Sequence, residues 1–502
     1  MRTVCCARWT RKNTASTALA PGSVARVAFT DLLANGQAVG RVDGLVVFVT
    51  GPLPGERVRV RITSVKAKYA VGEVVDYETR SAFRAQPFCP VFGECGGCQV
   101  QHMSYPAQLS WKEQIVRNAL RRIGGFADVK VEHPVGMIFP RAYRNKMSLV
   151  VENTAGETRL GFYQARSHAL VPITGCPVVL PQLDAAIKTL HDAARGPETG
   201  GVFAGVKHAI MRMGAASGQA VLSLTTDRQS PAIVAGAYAL ARKIMGVVGV
   251  SNSFEPRNAN AVLGRKMSYV WGAREMEEVI DGVRFRVSPA SFFQVNSEMV
   301  GKIFRFMAPG LKEPRKIVDL YCGAGTFAIF FASRGAQVVG IEENPAAVRE
   351  ATLNAELNGV AGRATFIAGR VEGAVVHEGG KAALRDAEIV FLDPPRKGSD
   401  EATLDAISNA RVKNIWYLSC NPATLARDLA YLKTKGYALG VVQPFDMFPQ
   451  TGHVETLVTL HRAGEPEVLL PDAERTPWSD AIPEWPTDDR YAESQYPDFV
   501  DR

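Results

Sequence analysis

From Ile280 onward the chain alternates short apolar runs with stretches of helical periodicity, and few folds accept that pattern. Ile317–Tyr321, Val338–Ile341, Ala364–Ile367, Ile389–Leu392, Ile415–Leu418 and Val454–Leu460 read as strands, with helical stretches between most of them. Such alternation implies an α/β domain with a doubly wound parallel sheet. Sheets of this kind place their ligands in the crevice outside the carboxyl ends of the strands. Polar and reactive residues at those ends are therefore the first candidates for a site.

The first strand runs into Val318-Asp-Leu-Tyr-Cys-Gly-Ala-Gly-Thr326, a tight Gly-rich turn followed by a helix start. Gly323 and Gly325 let the backbone approach a ligand closely, at a helix N-terminus suited to polar groups. Glu342 ends the next strand, about 20 residues on, where a carboxylate can bind ribose hydroxyls. The third glycine of the dinucleotide fingerprint is missing, because Phe327 and Ala328 follow Thr326 directly. That favours S-adenosylmethionine over a dinucleotide.

Three further strand ends carry chemistry. Leu392-Asp393-Pro394-Pro395-Arg396 offers a carboxylate on a proline-stiffened loop, similar to the base-holding loop of nucleic-acid amino-methyltransferases; a plain surface turn reads equally well. Cys420 follows Asn-Ile-Trp-Tyr-Leu-Ser and precedes Asn421-Pro422 and a helical pattern. A lone cysteine there is more often packing than chemistry, but a thiolate in an open crevice is a nucleophile. Gly452-His453-Val454-Glu455-Thr456 leads into the last strand and brings a carboxylate to the same region. Uracil C5 is too weak a nucleophile to take a methyl group directly. A thiolate adding at C6 makes C5 reactive, and a base must then remove the C5 proton so that the cysteine can leave. One cysteine, one base and a sulfonium methyl donor around a flipped pyrimidine satisfy that requirement.

Charge is distributed unevenly. The net charge is +8, but Ala463–Arg502 holds 11 Asp/Glu against 3 Lys/Arg, which leaves residues 1–462 about +16. A basic body fits a polyanionic partner such as RNA, and a solvated surface of mixed charge fits it too. Residues 1–30 lack Asp and Glu, a composition shared by organellar presequences and basic tails, and the tail is the reading adopted. No run of about 18 uncharged apolar residues is present, so no membrane-spanning helix is expected. Eight cysteines without regular pairing density suggest a reducing compartment, and a cytoplasmic, monomeric protein is expected.

Upstream, Val24–Phe29, Leu45–Val49, Arg57–Ile62 and Tyr69–Val75 read as strands separated by Asn35-Gly36, Asp43-Gly44 and Pro54-Gly55. Arg57, Arg59 and Arg61 alternate with Val58, Val60 and Ile62, giving one basic and one apolar strand face. The segment resembles the TRAM domain, a small OB-like module of RNA-modifying enzymes. Beyond it come a basic amphipathic helix at Pro106–Ile123, strands at Lys146–Glu152 and Leu160–Tyr163, and a helix at Pro231–Met245. Cys89, Cys95 and Cys98 lie close together and Cys176 is remote. Four thiolates suit tetrahedral zinc or an iron–sulfur cluster, and spacing alone leaves the two level.

Ser419-Cys-Asn-Pro-Ala-Thr-Leu-Ala-Arg-Asp428, His453-Val-Glu-Thr456, Asp393-Pro-Pro-Arg396 and Ser291-Phe-Phe-Gln-Val-Asn296 together resemble the motif set of the RNA (uracil-5-)-methyltransferase family. They occur in family order, and with the upstream segments the similarity covers about residues 21–462. The resemblance implies Cys420 as nucleophile, Glu455 as proton acceptor, and Gln294, Tyr321, Glu342 and Asp393 as S-adenosylmethionine contacts. Cys-x5-Cys-x2-Cys plus a distant cysteine is similar to the subgroup that acts on 23S ribosomal RNA, implying a [4Fe–4S] cluster on Cys89, Cys95, Cys98 and Cys176. Radical S-adenosylmethionine enzymes space their cysteines differently. The expected organisation is a basic tail (1–20), a TRAM-like barrel (21–82), a central α+β cluster-binding domain (83–275), a Rossmann-like methyltransferase domain (276–462) and an acidic, disordered Pro-rich tail (463–502). Transfer RNA as substrate, and N-methylation through Asp393-Pro394-Pro395, are the competing expectations.

Overall fold

The structure, a computed structural model, describes residues 19–154, 157–258, 261–313, 315–473 and 478–485. The expected basic tail lies almost wholly outside them, as do residues 474–477 and 486–502 of the acidic tail. The described residues form two compact units, one ending at Arg84 and one spanning Ala85–Trp485.

In the first unit, β1 (Val24–Leu32), β2 (Gln37–Val42), β3 (Leu45–Thr50), β4 (Arg57–Val65) and β5 (Tyr69–Thr79) close a barrel in the order β1-β2-β3-β5-β4. The two-residue period of β4 buries Val58, Val60 and Ile62 and turns Arg57, Arg59 and Arg61 outward. The outward face is not the purely basic one that β4 alone suggests. β5 interleaves carboxylates: Asp76 pairs with Arg59 at 2.8 Å, Glu78 with Arg26 at 2.7 Å, and Glu73 sits opposite Arg61. Exposed pairs of this kind contribute about 0–1 kcal/mol each.

The second unit opens with α1 (Tyr105–Arg122) and holds two large sheets. The first comprises β6 (Lys146–Thr154), β7 (Glu157–Tyr163), β8 (Leu170–Pro172), β9 (His208–Met213), β10 (Ala220–Thr226), β11 (Val247–Phe254) and β12 (Lys266–Gly272), in the order β12-β11-β10-β9-β6-β7-β8. Helices α2 (Pro181–Arg195) and α3 (Pro231–Lys243) pack on its apolar face, where Leu149, Met211, Leu222 and Leu224 are buried. Alternation puts Lys146, Ser148, His208, Arg212 and Ser223 on the opposite face. A hairpin, β13 (Met276–Ile280) and β14 (Val283–Val287), leads to the second sheet.

That sheet contains β15 (Lys316–Leu320), β16 (Gln337–Glu342), β17 (Ala364–Ala368), β18 (Ile389–Leu392), β19 (Asn414–Ser419), β20 (Tyr437–Phe445) and β21 (Glu455–Arg462). Its order is β17-β16-β15-β18-β19-β21-β20, with the five strands from β17 to β19 parallel. Helices α4 (Ser297–Met307), α5 (Thr326–Ser333), α6 (Pro345–Leu357), α7 (Val371–Ala374), α8 (Glu378–Asp386), α9 (Glu401–Asn409) and α10 (Pro422–Thr434) complete the doubly wound arrangement. The buried Phe327, Phe330, Phe331, Phe391 and Trp416 fill the layer on one side. The expected parallel sheet is present; β20, not legible in the sequence, and β21 extend it in antiparallel fashion.

α1 packs with the second sheet even though it precedes the first. Val116 and Leu120 share a core with Leu425, Leu429 and Val442, and the fully buried Lys112 Nζ lies 2.5 Å from Asp446 Oδ1. Removing one partner of such a pair costs roughly 3–5 kcal/mol, so Lys112 pins the segment leading toward Glu455. The acidic tail also departs from expectation where it is described. Leu470 and Trp485 are buried, and the Trp478 indole donates to the Met137 carbonyl at 2.8 Å. Apolar anchors spaced along a Pro-rich segment are enough to dock it.

Candidate active site

The loop after β15 is built on left-handed backbone: Tyr321 has φ +67°, Gly323 +54° and Gly325 +85°. Gly325 is the N-cap of α5, and a Cβ there would meet Ile329 Cδ1 at 2.9 Å and Ala351 Cβ at 3.1 Å. A Cβ on Gly323 would meet nothing within 4 Å, so that side of the loop is an open cradle. Glu342 ends the neighbouring β16, accepts from the Gly323 N–H at 3.1 Å and from the Asn344 N–H at 2.8 Å, and so faces the same turn. Tyr321 Oη lies 3.1 Å from Ser399 Oγ. The Asp393 N–H reaches the Leu320 carbonyl at 3.4 Å, and the Gln294 side chain, from the loop before α4, hydrogen-bonds the Asp393 carboxylate. The four expected cofactor contacts and both glycines thus converge on the carboxyl ends of β15, β16 and β18.

Cys420 follows β19 and is half-buried. β21 runs antiparallel to β19 with Ser419 opposite Thr456. Continuing that register by one residue sets Cys420 beside Glu455, and Cys420 feels both Glu455 and Asp393 electrostatically. The Cys420 thiol is pushed up to about 12, first by burial and then by Glu455 and Asp393, with Arg396 opposing them. Glu455 is buried, its Oε2 has no hydrogen-bond partner, and burial and then Asp393 hold its carboxyl well above the ordinary range, again against Arg396. Asp393 is raised to about 7 by burial, with the Gln294 hydrogen bond acting the other way. Two neighbouring carboxyls and a thiol in one desolvated pocket oppose each other's ionisation. Below its raised pKa the thiol is protonated, so alkylation of Cys420 by iodoacetamide should accelerate about tenfold per pH unit between 7 and 9. A rate already flat at pH 7 would contradict this electrostatic reading.

These loops are held by residues that the sequence reading did not single out. Asn421 caps α10 through its Oδ1, which accepts from the Ala423 N–H at 3.1 Å, and its Nδ2 donates to the Arg396 carbonyl at 2.9 Å. Thr424 Oγ1 donates to the same carbonyl at 3.1 Å. Arg427 Nη2 donates to the Lys397 and Ser399 carbonyls, and Asp428 Oδ2 accepts from the Ser399 N–H at 2.8 Å and from Tyr417 Oη at 2.6 Å. The first two turns of α10 therefore lash the Asp393-Pro-Pro-Arg loop to the cysteine loop. The cue was a polar residue repeated at three- and four-residue steps after Cys420. Asp319 was also missed; it is buried inside an apolar strand, where burial and Asp393 hold it well above the usual carboxylate range.

Residues 274–463 match the tRNA (uracil-5-)-methyltransferase family, and residues 19–75 match the TRAM domain. The chain is 37% identical over 459 residues to an uncharacterised RNA methyltransferase of Gloeobacter violaceus, covering 89% of this chain and 98% of that one. A Clostridium acetobutylicum RNA methyltransferase, also uncharacterised, is 35% identical over 441 residues, with 85% and 94% covered. The chain belongs to the RNA (uracil-5-)-methyltransferase family. Its structure is similar to that of the Pyrococcus abyssi tRNA (uracil-54, C5)-methyltransferase in complex with S-adenosyl-L-homocysteine: TM-score 0.67, 25% identity, 87% of this chain and all of the other. Among the described residues no helix is long and apolar enough to cross a membrane.

The family's cysteine expectation has a partial counterpart here. Cys98 is pushed up to about 12, first by burial and then by Cys176, Cys95 and Cys89, with a Gln101 hydrogen bond opposing; Cys176 is raised by burial and by Cys95 and Cys89. The remote thiol thus folds back within electrostatic reach of the other three. Among the described residues, however, no group of three or more His, Cys, Asp or Glu side chains is arranged to hold a metal ion.

Proposed function

We propose that this protein methylates C5 of uracil in RNA, with Cys420 as nucleophile and Glu455 as the base that takes the C5 proton. The reading rests chiefly on the β19–β21 register, which aligns Ser419 with Thr456 and so brings the thiol and carboxylate into one pocket. S-adenosylmethionine would supply an electrophilic methyl group, its sulfur–methyl bond breaking to leave S-adenosylhomocysteine. Gly323 and Gly325 would leave it room, Glu342 would take its ribose hydroxyls, and Gln294, Tyr321 and Asp393 would complete its cradle. The Cys420 thiol loses its proton to solvent, its sulfur adds to C6, and the displaced electron pair moves onto the C4 carbonyl, making C5 nucleophilic. After methylation, Glu455 removes the C5 proton and the C6–S bond breaks, restoring the uracil ring. The raised pKa of Glu455 suits this step, because a carboxylate destabilised by burial is a stronger base once ionised. Arg396, the nearby cation, favours thiolate and carboxylate alike.

Large-subunit ribosomal RNA is the proposed substrate, on the strength of the cysteine spacing. Transfer RNA is the second reading, because the similar Pyrococcus abyssi enzyme is a tRNA methyltransferase by name. Incubation with labelled donor and with ribosomal or transfer RNA from cells lacking this gene, followed by nucleoside mass spectrometry, tests both. Label in 5-methyluridine supports the reaction, and the RNA that carries it names the substrate. Label on an exocyclic or ring nitrogen would instead favour chemistry centred on Asp393-Pro394-Pro395. Replacing Glu342 with alanine is expected to weaken S-adenosylmethionine binding in calorimetry by about tenfold, the loss of a charge-assisted hydrogen-bonding partner.

The cysteine set is proposed to hold a [4Fe–4S] cluster with a structural role. The support is the Cys-x5-Cys-x2-Cys spacing, with the remote Cys176 folded back within electrostatic reach of the other thiols. Protein purified without oxygen should be brown with broad visible absorption, and Cys176→Ser should lose most of the iron. A colourless protein with stoichiometric zinc would refute the assignment.

A further inference from the structure

The polar face of the first sheet carries a cavity of about 380 Å³ that the proposed methylation chemistry does not use. Gly97, Ser148, Tyr163, Gln164, Arg166 and His208 are among the residues that line it. His208 is only 3% exposed, and its ring lies edge-on to that of Tyr163 at 6.5 Å. The Ser148 hydroxyl, the Tyr163 hydroxyl and the Gln164 amide belong to the same lining. The wall is firmly placed: the Gly96 N–H donates to the Tyr163 carbonyl at 3.0 Å, tying β7 to the cysteine loop.

Resting on the RNA reading above, we infer that this cavity binds one unpaired nucleotide of the substrate RNA, outside the catalytic pocket. Its volume suits a nucleoside, and ligand sites of this kind start near 300 Å³. The Tyr163 ring offers a stacking surface, while an imidazole, an amide and a hydroxyl supply mixed donors and acceptors for a base edge. The cavity lining includes Arg166 and no carboxylate, which fits a phosphate at the mouth. The same face continues toward the catalytic loops. Four residues along β9 from His208, about 13 Å at strand rise, Arg212 donates to the Ser291 carbonyl at 3.1 Å in the loop that carries Gln294.

The test uses the full chain with its cysteine site loaded, and RNA from cells lacking the gene as probe. Tyr163→Ala and Gln164→Ala should each raise the KM for RNA, Tyr163→Ala by about tenfold as expected for one lost base stack, with a much smaller effect on kcat. Tyr163→Phe should stay near the wild-type KM, and His208→Leu should resemble Gln164→Ala. Photo-crosslinking with 4-thiouridine-substituted RNA should label residues 162–166. Unchanged KM in Tyr163→Ala and Gln164→Ala, or crosslinks mapping only elsewhere, would overturn the proposal. Equal labelling by free 4-thiouridine monophosphate would overturn the RNA-borne assignment in favour of a free nucleotide. Because crosslinking needs no turnover, it separates failure here from failure of the uracil-C5 reading.

Discussion

Replacing Glu455 with glutamine is expected to stall the enzyme after methyl transfer, so that a covalent RNA–protein species accumulates on ordinary uridine-containing RNA. The amide is nearly isosteric but cannot accept the C5 proton, and without that step Cys420 cannot leave. Loss of a positioned base typically costs 10²–10⁴-fold in rate, so kcat should fall on the order of 10³-fold. Denaturing gel electrophoresis would show the shifted species; a variant that turns over normally and traps nothing would exclude Glu455 as the base. The same substitution carries a stability signature of opposite sign. A carboxyl with a folded-state pKa above its unfolded value contributes stability at low pH and loses it as pH rises through the folded pKa. The wild type then holds a buried charge whose Oε2 has no partner. Glu455→Gln should therefore have a higher Tm than the wild type at neutral pH, with the gap widening as pH increases. Gain of stability at the expense of activity is a common trade at catalytic sites.

Cys420→Ala is expected to abolish 5-methyluridine formation, with a loss on the order of 10⁴-fold or more, because no other route makes C5 nucleophilic in this site. Cys322 cannot substitute. It is buried in the turn after β15, where burial and Asp319 hold its thiol well above the usual range. The variant should fold normally: Cys420 is half-buried at a strand end, and the Asn421 cap, not the thiol, anchors α10. S-adenosylmethionine affinity should stay within about twofold of wild type, which distinguishes a chemical defect from a collapsed site. Methylation persisting at more than a few per cent would assign the nucleophile elsewhere.

What the sequence disclosed follows from how local each feature is. Gly323, Gly325 and Glu342 lie within one strand–turn–helix–strand unit, so spacing alone placed them together. Cys420 was visible as the end of an apolar run before a helix. Glu455 was visible only as a carboxylate near the last strand. Its partnership with Cys420 depends on β21 turning antiparallel beside β19, and that pairing is separated by the unrecognised β20. The polar sheet face was hidden because β9 to β11 carry buried polar residues such as His208, Arg212 and Ser223, which blur strand alternation. The basic and apolar faces of β4 were legible from its alternation, but the carboxylates that pair with the basic face sit on β5 and were not. Trp478 could have hinted that the acidic segment docks, but only the position of the Met137 carbonyl explains how.

The central claim is a covalent bond between Cys420 and C6 of a uracil, and 5-fluorouridine-substituted RNA tests it most directly. Fluorine at C5 cannot be removed by a base, so the adduct should persist after methyl transfer. Digestion and mass spectrometry should then place a methylated fluorouridine on the peptide containing Cys420, with no adduct in Cys420→Ala. Normal methylation of ordinary RNA without any adduct on the fluorinated RNA, or an adduct that survives Cys420→Ala, would contradict the mechanism.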